Sequence, residues 1–170
     1  MQDEVKMKTF LVGLLLAATA TQVAAAEYVY YDFAVPMADS HGAFAYRVDT
    51  TEKLERHGHT GSRLYVCGDG DEFHCFIAGG FSFAVPRSGL PKVGDHWKCK
   101  RSEYFVDAVE SLQILGLTQE VMIISSPYNA ERRDIFYYSP TAGLLAMKFE
   151  HKGHDAAQIF FLRGSKGFPY

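Results

Sequence analysis

The stretch from Val93 to Glu150 decides the fold of this chain. It reads VGDHWKCKRSEYFVDAVESLQILG over 93–116, LTQEVMIISS over 117–126 and, after a short interruption, DIFYYSPTAGLLAMKFE over 134–150. Apolar and polar residues alternate in short runs, and the runs are stopped by Gly, Pro or Asn. This alternation is typical of consecutive antiparallel strands that fold back on one another.

The segment from Tyr104 to Leu115 has partial helical spacing, but its alternating residues favour a strand. The remaining strands of this half are predicted at Val121–Ser125, Asp134–Tyr138, Leu144–Glu150 and Gln158–Arg163. A loop is predicted from Pro127 to Arg133, and a tight turn over Pro140–Gly143, where Gly occupies the last position as a type I turn prefers.

The first half of the chain continues the same pattern. Thr51 to Arg56 is predicted as a single helical turn, with a loop as a nearly equal alternative. Strands are predicted at Tyr28–Val35, Ala43–Thr50, Leu64–Cys67, Phe73–Ala78 and Phe81–Val85. About ten short strands with little helix predict an all-β fold, or a β-rich fold with one short helix. The expected architecture is an antiparallel meander that forms a curled sheet, a barrel or a sandwich.

The first 26 residues have the features of a signal peptide. Lys6 and Lys8 precede an apolar run from Phe10 to Ala20, and Ala24–Ala26 provides a small-residue cleavage site before Glu27. The apolar run is shorter than the roughly 20 residues that span a bilayer. The chain is therefore predicted to be exported, periplasmic or secreted, with residues 27–170 forming one β-rich domain and no membrane span after cleavage.

The charge distribution disfavours nucleic acid as a partner. The formal net charge is −3, and Lys and Arg are scattered along the chain. The two basic clusters, Lys98–Arg101 and Arg132–Arg133, are interpreted as solvated strand ends. A nucleic-acid-binding domain needs a concentrated basic surface, which this sequence lacks.

Two short motifs in the second half are Val93-Gly94-Asp95-His96-Trp97 and Tyr137-Tyr138-Ser139-Pro140-Thr141-Ala142-Gly143-Leu144-Leu145. With these the chain resembles small exported bacterial β-rich proteins and lipoproteins of unknown function, which pair a VGDxW motif with a YYSPxxGLL hairpin. The resemblance implies a twisted antiparallel sheet and an envelope location. It carries over no catalytic residue.

The three cysteines, Cys67, Cys75 and Cys99, are candidates for one disulfide and one free thiol. If Asp69-Gly70 is a two-residue turn, Val66 lies opposite Phe73, and Cys67 and Cys75 face opposite sides. That register favours a Cys75–Cys99 disulfide. A longer loop would instead allow Cys67–Cys75, which ranks nearly equal, with Cys67–Cys99 third.

A nucleophilic cysteine needs a neighbouring base. His74 adjoins Cys75 and His96 lies near Cys99, but both histidines are expected on the opposite strand face from the sulfur. Structural sulfur is therefore the favoured interpretation of the cysteines.

Four loop histidines are candidate metal ligands: His57, His59, His151 and His154. A zinc site needs three or four converging ligands, and no familiar spacing such as HExxH occurs. Solvated loop histidines are the favoured interpretation, and no cofactor is predicted.

Two functions follow from these observations. The leading hypothesis is an exported, non-enzymatic binding or accessory domain, which binds a small apolar ligand or a partner protein of the envelope. Its basis is the aromatic content of 14%. The alternative is a small metal-dependent or thiol enzyme that uses the loop histidines. The oligomeric state does not follow from the sequence.

Overall fold

The computed structural model of the protein describes residues 27–32, 45–114, 116–154 and 157–169. The predicted signal peptide lies outside these ranges, as do the end of the first predicted strand and the start of the second. The described residues form thirteen strands and contain no helix that could cross a membrane. The strands are β1 Glu27–Asp32, β2 Ala45–Asp49, β3 Leu54–His57, β4 Thr60–Arg63, β5 Tyr65–Val66, β6 Phe73–Ile77, β7 Ser82–Pro86, β8 His96–Cys99, β9 Ser102–Ile114, β10 Leu117–Asn129, β11 Arg132–Ser139, β12 Gly143–His151 and β13 Gln158–Leu162.

The strands form one ten-stranded and one three-stranded sheet, both antiparallel. The large sheet has the order β4-β3-β2-β1-β13-β12-β11-β10-β9-β8, and the small sheet has the order β5-β6-β7. Every neighbour in these orders is also a neighbour in sequence except β1 and β13, where Tyr30 lies opposite Leu162. The prediction of an all-β antiparallel meander is confirmed.

The large sheet curls without closing into a barrel. Tyr46 on β2 and Phe149 on β12 are three strands apart, which is about 14 Å in a flat sheet. Their ring centroids nevertheless lie 5.9 Å apart, and Tyr46 is 4.8 Å from Phe160 on β13. The curl therefore brings side chains of distant strands together on the concave face.

The small sheet covers this concave face, so that sheet packs on sheet. Phe83 of β7 lies 5.2 Å from Phe136 of β11, measured between ring centroids. Trp97 Nε1 donates to the carbonyl oxygen of Ala84, and the Tyr104 hydroxyl donates to Ser82 Oγ. One apolar core includes residues of both sheets.

The central hairpins are longer than the sequence predicts. The strand interpretation of Tyr104–Leu115 is confirmed by β9 as far as Ile114, and Leu115 lies outside the described residues. The predicted loop from Pro127 to Arg133 is wrong. The structure continues β10 to Asn129 and starts β11 at Arg132, with a register shift between Pro127 and Asn129. The irregularity accommodates Pro127, which has no N–H for the ladder.

The helical turn predicted at Thr51–Arg56 is also wrong. Asp49 Oδ1 accepts hydrogen bonds from the backbone N–H groups of Thr51 and Glu52. Lys53 then adopts φ 53°, and the chain returns as β3. The side chain of Asp49 thus stabilises a hairpin turn instead of a helix start.

The two-residue turn at Asp69-Gly70 is the third wrong prediction. Val66 lies opposite Phe76 instead of Phe73, so a longer loop joins β5 to β6. Asp71 stabilises this loop, since its carboxylate accepts from Gly68 N and its own N–H donates to Gly68 O. The predicted turn at Pro140–Gly143 is present, with Ala142 N donating to Ser139 O.

Candidate functional site

An arginine and an aspartate form a buried pair at the start of β11. Arg132 Nε lies 2.6 Å from Asp134 Oδ1, and Nη2 lies 3.1 Å from Oδ2. The guanidinium also lies over two rings, 4.3 Å from the centroid of Phe149 and 4.5 Å from that of Tyr128. The Asp134 side chain is 2% exposed and that of Arg132 is 14% exposed. These contacts fix the guanidinium in one orientation.

Arg132 lines a cleft of about 490 Å³ at this end of the large sheet. The cleft lies between the β10–β11 turn and the segment from β12 to β13. Two of its charged side chains are carboxylates, Glu131 and Glu150, and four are cations. The cations are Arg132, Arg133, Lys148 and Lys152, and the rim also carries His151 and His154.

Burial raises the pKa of Asp134 to about 6, although the hydrogen bonds and charge of Arg132 act in the opposite direction. The charge of His151 also lowers this pKa. Desolvation of a carboxylate favours its neutral form, and here that effect outweighs the pairing. Asp134 therefore titrates nearer neutral pH than an ordinary aspartate.

Besides the Arg132–Asp134 pair, the polar side chains of His57 and Glu55 lie close to Tyr46 on the concave face. The His57 ring stacks on Tyr46 with centroids 4.2 Å apart and planes 10° apart. Glu55 is buried and accepts a hydrogen bond of 2.6 Å from Ser62 Oγ. Burial raises the pKa of Tyr46, and the charge of Glu55 raises it further.

The predicted histidine ligands occupy two separate places. His57 is engaged by Tyr46, and His59 is exposed in the following turn. His151 and His154 lie on the rim of the cleft, with ring centroids 6.2 Å apart. Within the described ranges, no set of three metal-binding side chains with ligand atoms close together includes a histidine.

The cysteines, in contrast, come together. Cys67 and Cys75 form the disulfide, with Cα atoms 5.1 Å apart. This is the pairing that the longer loop allows, and the Cys75–Cys99 pairing that the shorter turn favoured is not formed. Cys99 is a buried free thiol. A disulfide is compatible with an oxidising, exported location.

Neither nearby histidine is placed as a base for Cys99. In β8, His96 lies opposite Phe105 and stacks on its ring, whereas Cys99 lies three residues further along the strand. Side chains three residues apart in a strand point to opposite faces. His74 directly precedes Cys75 in β6, so its side chain points to the opposite face from Cys75, whose sulfur lies beside that of Cys99. Burial lowers the pKa of His74.

Sequence reasoning misses the Arg132–Asp134 pair because the adjacent Arg132 and Arg133 together have the pattern of a solvated basic cluster. The alternation of β11 contains the signal that would have separated them. Arg132 and Asp134 share the face of Phe136, which is fully buried, while Arg133 points to the other face. Charged residues on a buried face are functional candidates because they must be paired.

Comparison of the chain with protein-family models, curated proteins and solved structures found no match.

Proposed function

We propose that the chain is an exported binding protein without a catalytic role, and that it recognises an acidic segment of a partner protein at the cleft beside Arg132. The observation that carries the proposal is the fixed guanidinium of Arg132. Its pair with Asp134 uses two N–H donors of the five that an arginine has. The remaining donors belong to a rigid group that lines the cleft, which suits a carboxylate acceptor.

The charge of the cleft supports an anionic ligand. Its cations exceed its carboxylates by four to two, in a chain whose formal net charge is −3. Arg132, Arg133 and Lys148 have the ion-pair partners Asp134, Asp107 and Glu150, whereas Lys152 forms no ion pair within the described residues. The ammonium of Lys152, which has no ion-pair partner there, and the fixed guanidinium of Arg132 attract an acidic segment to this place.

A partner protein is a better candidate than a small apolar ligand at the concave face. The aromatic rings that would line an apolar binding site on this face pack on one another instead, as Phe81 does on Tyr46 and Phe76. A second depression of about 540 Å³ includes Leu90, which is 63% exposed, together with Pro91 and Trp97. Binding of a hydrophobic dye that Leu90→Ser abolishes would assign an apolar ligand to that place.

The alternative of a metal-dependent enzyme finds less support. Its histidines lie in two places, and His57 is stacked on Tyr46. The double variant His57→Ala/His59→Ala and treatment with a chelator distinguish the hypotheses, because a binding protein of the proposed kind keeps its ligand affinity under both.

The proposal is tested with a fluorescein-labelled hexaglutamate peptide and fluorescence anisotropy at low ionic strength. We expect binding that weakens as salt is added, since salt screens the charges. Lys152→Glu in the cleft should weaken binding at least about tenfold, which corresponds to about 1.4 kcal/mol.

Lys98→Glu is the matched control, because it makes the same change of net charge on β8, four strands away from β12 in the sheet. Its affinity should stay within about twofold of that of the unaltered protein. Equal losses in both variants, or the absence of binding at low salt, would contradict the proposal.

A further inference from the structure

Three sulfur atoms meet between the two sheets. The Sγ atoms of Cys67, Cys75 and Cys99 all lie within 4.8 Å of one another. Cys67 follows β5, Cys75 lies in β6 and Cys99 ends β8. Cys75 is fully buried, Cys99 is 5% exposed and Cys67 is 8% exposed. A free thiol thus lies beside a disulfide, which is the arrangement that thiol–disulfide exchange requires.

We propose that Cys67, Cys75 and Cys99 form a thiol–disulfide exchange site, in which Cys99 takes over the bond to Cys75 and releases a free thiol at Cys67. The Cys99 thiol loses its proton, and the thiolate attacks Sγ of Cys75. The bond between Cys67 and Cys75 breaks as the new bond forms, and Cys67 leaves as a thiolate that takes up a proton. One disulfide and one thiol are present before and after, so the step needs no oxidant or reductant.

The backbone around the three cysteines is held by contacts that do not depend on the disulfide. Cys75 lies opposite Ala84 in the β6–β7 pair, and Cys99 lies opposite Ser102 in the β8–β9 pair. Cys67 N donates to Cys75 O at 3.0 Å. The bond can therefore move between sulfurs by side-chain rotation while the strands stay paired.

Arg87 holds the loop between the two bonded cysteines. Its Nη2 donates to Gly68 O at 2.9 Å and its Nε donates to Phe73 O at 3.2 Å. Arg87 N also donates to Glu72 O at 2.9 Å. These hydrogen bonds keep Cys67 near Cys75 after the bond between them has broken, which makes the exchange reversible.

The surroundings of Cys99 set the pH range of the exchange. Burial raises the pKa of the Cys99 thiol, the charge of Lys100 lowers it, and the charge of Asp71 raises it. Tyr104, whose pKa burial raises to about 12, and Cys99 also interact electrostatically. The exchange is therefore slow at neutral pH and accelerates as the pH rises and the thiolate forms.

The product differs from the starting state in where the thiol lies. Cys99 ends a strand beneath the small sheet, whereas Cys67 adjoins Gly68, which is exposed. The exchange moves the thiol from the strand end of Cys99 to Cys67, which is 8% exposed and directly precedes the exposed loop that begins at Gly68. This activity is independent of the cleft beside Arg132 and of the ligand proposed there.

The test traps the thiol in the folded protein. The full chain is incubated with N-ethylmaleimide at pH 7 and pH 8.5, quenched in acid, digested with pepsin at low pH and analysed by mass spectrometry. We expect modification of Cys67 together with a Cys75–Cys99 linked peptide. The initial rate should rise roughly tenfold per pH unit while the thiol of Cys99 is mostly protonated. Modification confined to Cys99 with Cys67–Cys75 intact, or no modification of the folded chain, would overturn the proposal.

Two variants give independent readings. Cys99→Ser should abolish modification of Cys67, and modification of Cys67 at the unaltered rate would contradict the role of Cys99. Cys67→Ser, refolded with oxidised glutathione, should form a Cys75–Cys99 disulfide. A folded Cys67→Ser protein with two free thiols would show that the second bond cannot form. The alkylation of the unaltered chain decides the question if either variant fails to fold.

Discussion

Gly143 and Gly167 meet backbone to backbone where the C-terminal segment crosses the turn before β12. Gly167 N donates to Ala142 O at 2.7 Å, and Leu144 N donates to Phe168 O at 2.7 Å. A Cβ on Gly143 would lie 2.7 Å from Gly167 C and 2.8 Å from Phe168 O. This contact positions Phe168, whose ring packs on Phe76 with centroids 5.1 Å apart.

Gly143→Ala should therefore destabilise the protein by at least about 3 kcal/mol, because it combines a left-handed backbone at φ 77° with overlap against rigid backbone. Chemical denaturation measures the free energy of unfolding. Gly153→Ala is the matched control, since it has the same φ and no atom within 4 Å of an added Cβ. Its expected cost is about 1 kcal/mol, and an equal cost for both variants would show that the contact with Gly167 contributes nothing.

Arg132→Gln should destabilise the protein by about 3 kcal/mol at pH 7, because Asp134 would stay buried without its partner. The pKa of Asp134 is already about 6 in the folded state against 3.8 ordinarily, so the folded state holds this proton more tightly than the unfolded state does. The contribution of Asp134 to the free energy of unfolding therefore rises as the pH falls from about 6 towards about 4.

Without Arg132 that pKa rises further, and the loss measured at pH 7 should shrink at pH 4. Denaturation curves at both pH values check this expectation. Arg133→Gln is the control, since Arg133 is half exposed and pairs with Asp107 at the surface. Its effect should stay below about 1 kcal/mol. A loss for Arg132→Gln that does not depend on pH would contradict the assignment to Asp134.

The alternation of residues predicts most of the strands, although not β3 and β4, whereas the connections between strands are predicted less well. Of the connections predicted at Asp69-Gly70, Pro127–Arg133 and Pro140–Gly143, only the last is correct. A period-two pattern such as that of β9 arises because every second side chain of a strand is buried, so it can be recognised within the strand's own sequence. The loop after Cys67 depends on Arg87, which hydrogen-bonds to Gly68 from 19 positions away. No local sequence pattern predicts such a contact, so the sequence alone does not distinguish the Cys75–Cys99 disulfide from Cys67–Cys75.

The candidate site was harder to predict than the fold for the same reason. The guanidinium of Arg132 lies over the ring of Phe149, which belongs to another strand. The curl of the sheet determines what else surrounds it. The loop histidines are candidate metal ligands by residue type alone, and the sequence does not show that His57 is stacked on Tyr46. The proposed exchange site needs Cys99 beside Cys75, and those residues belong to different sheets. Pairing between sheets is not encoded in the alternation of either one.

Tyr104→Phe should weaken the junction between the sheets by about 1–2 kcal/mol, because Ser82 would lose a buried hydrogen-bond donor. The Tyr104 hydroxyl lies 3.0 Å from Ser82 Oγ, which in turn lies 2.6 Å from Ser102 Oγ. Thermal unfolding reports the loss, and Tyr137→Phe serves as the control, since its hydroxyl has no hydrogen bond among the described residues. Ultraviolet titration should also lose a tyrosine that ionises at about pH 12. Equal stabilities for the two variants would contradict this role.

Arg87→Lys should loosen the loop between Cys67 and Cys75 although it keeps the positive charge. A lysine ammonium lacks the planar fork with which Arg87 reaches the carbonyl oxygens of Gly68 and Phe73. We expect faster amide hydrogen exchange at Asp71, whose N–H donates to Gly68 O, and a loss of stability of about 1 kcal/mol. Arg101→Lys, an exposed change in the β8–β9 turn, should leave the exchange at Asp71 unaltered. If Asp71 remains equally protected in Arg87→Lys, the disulfide and the Asp71 turn hold the loop without Arg87, and Arg87 is not the residue that keeps Cys67 near Cys75 during thiol exchange.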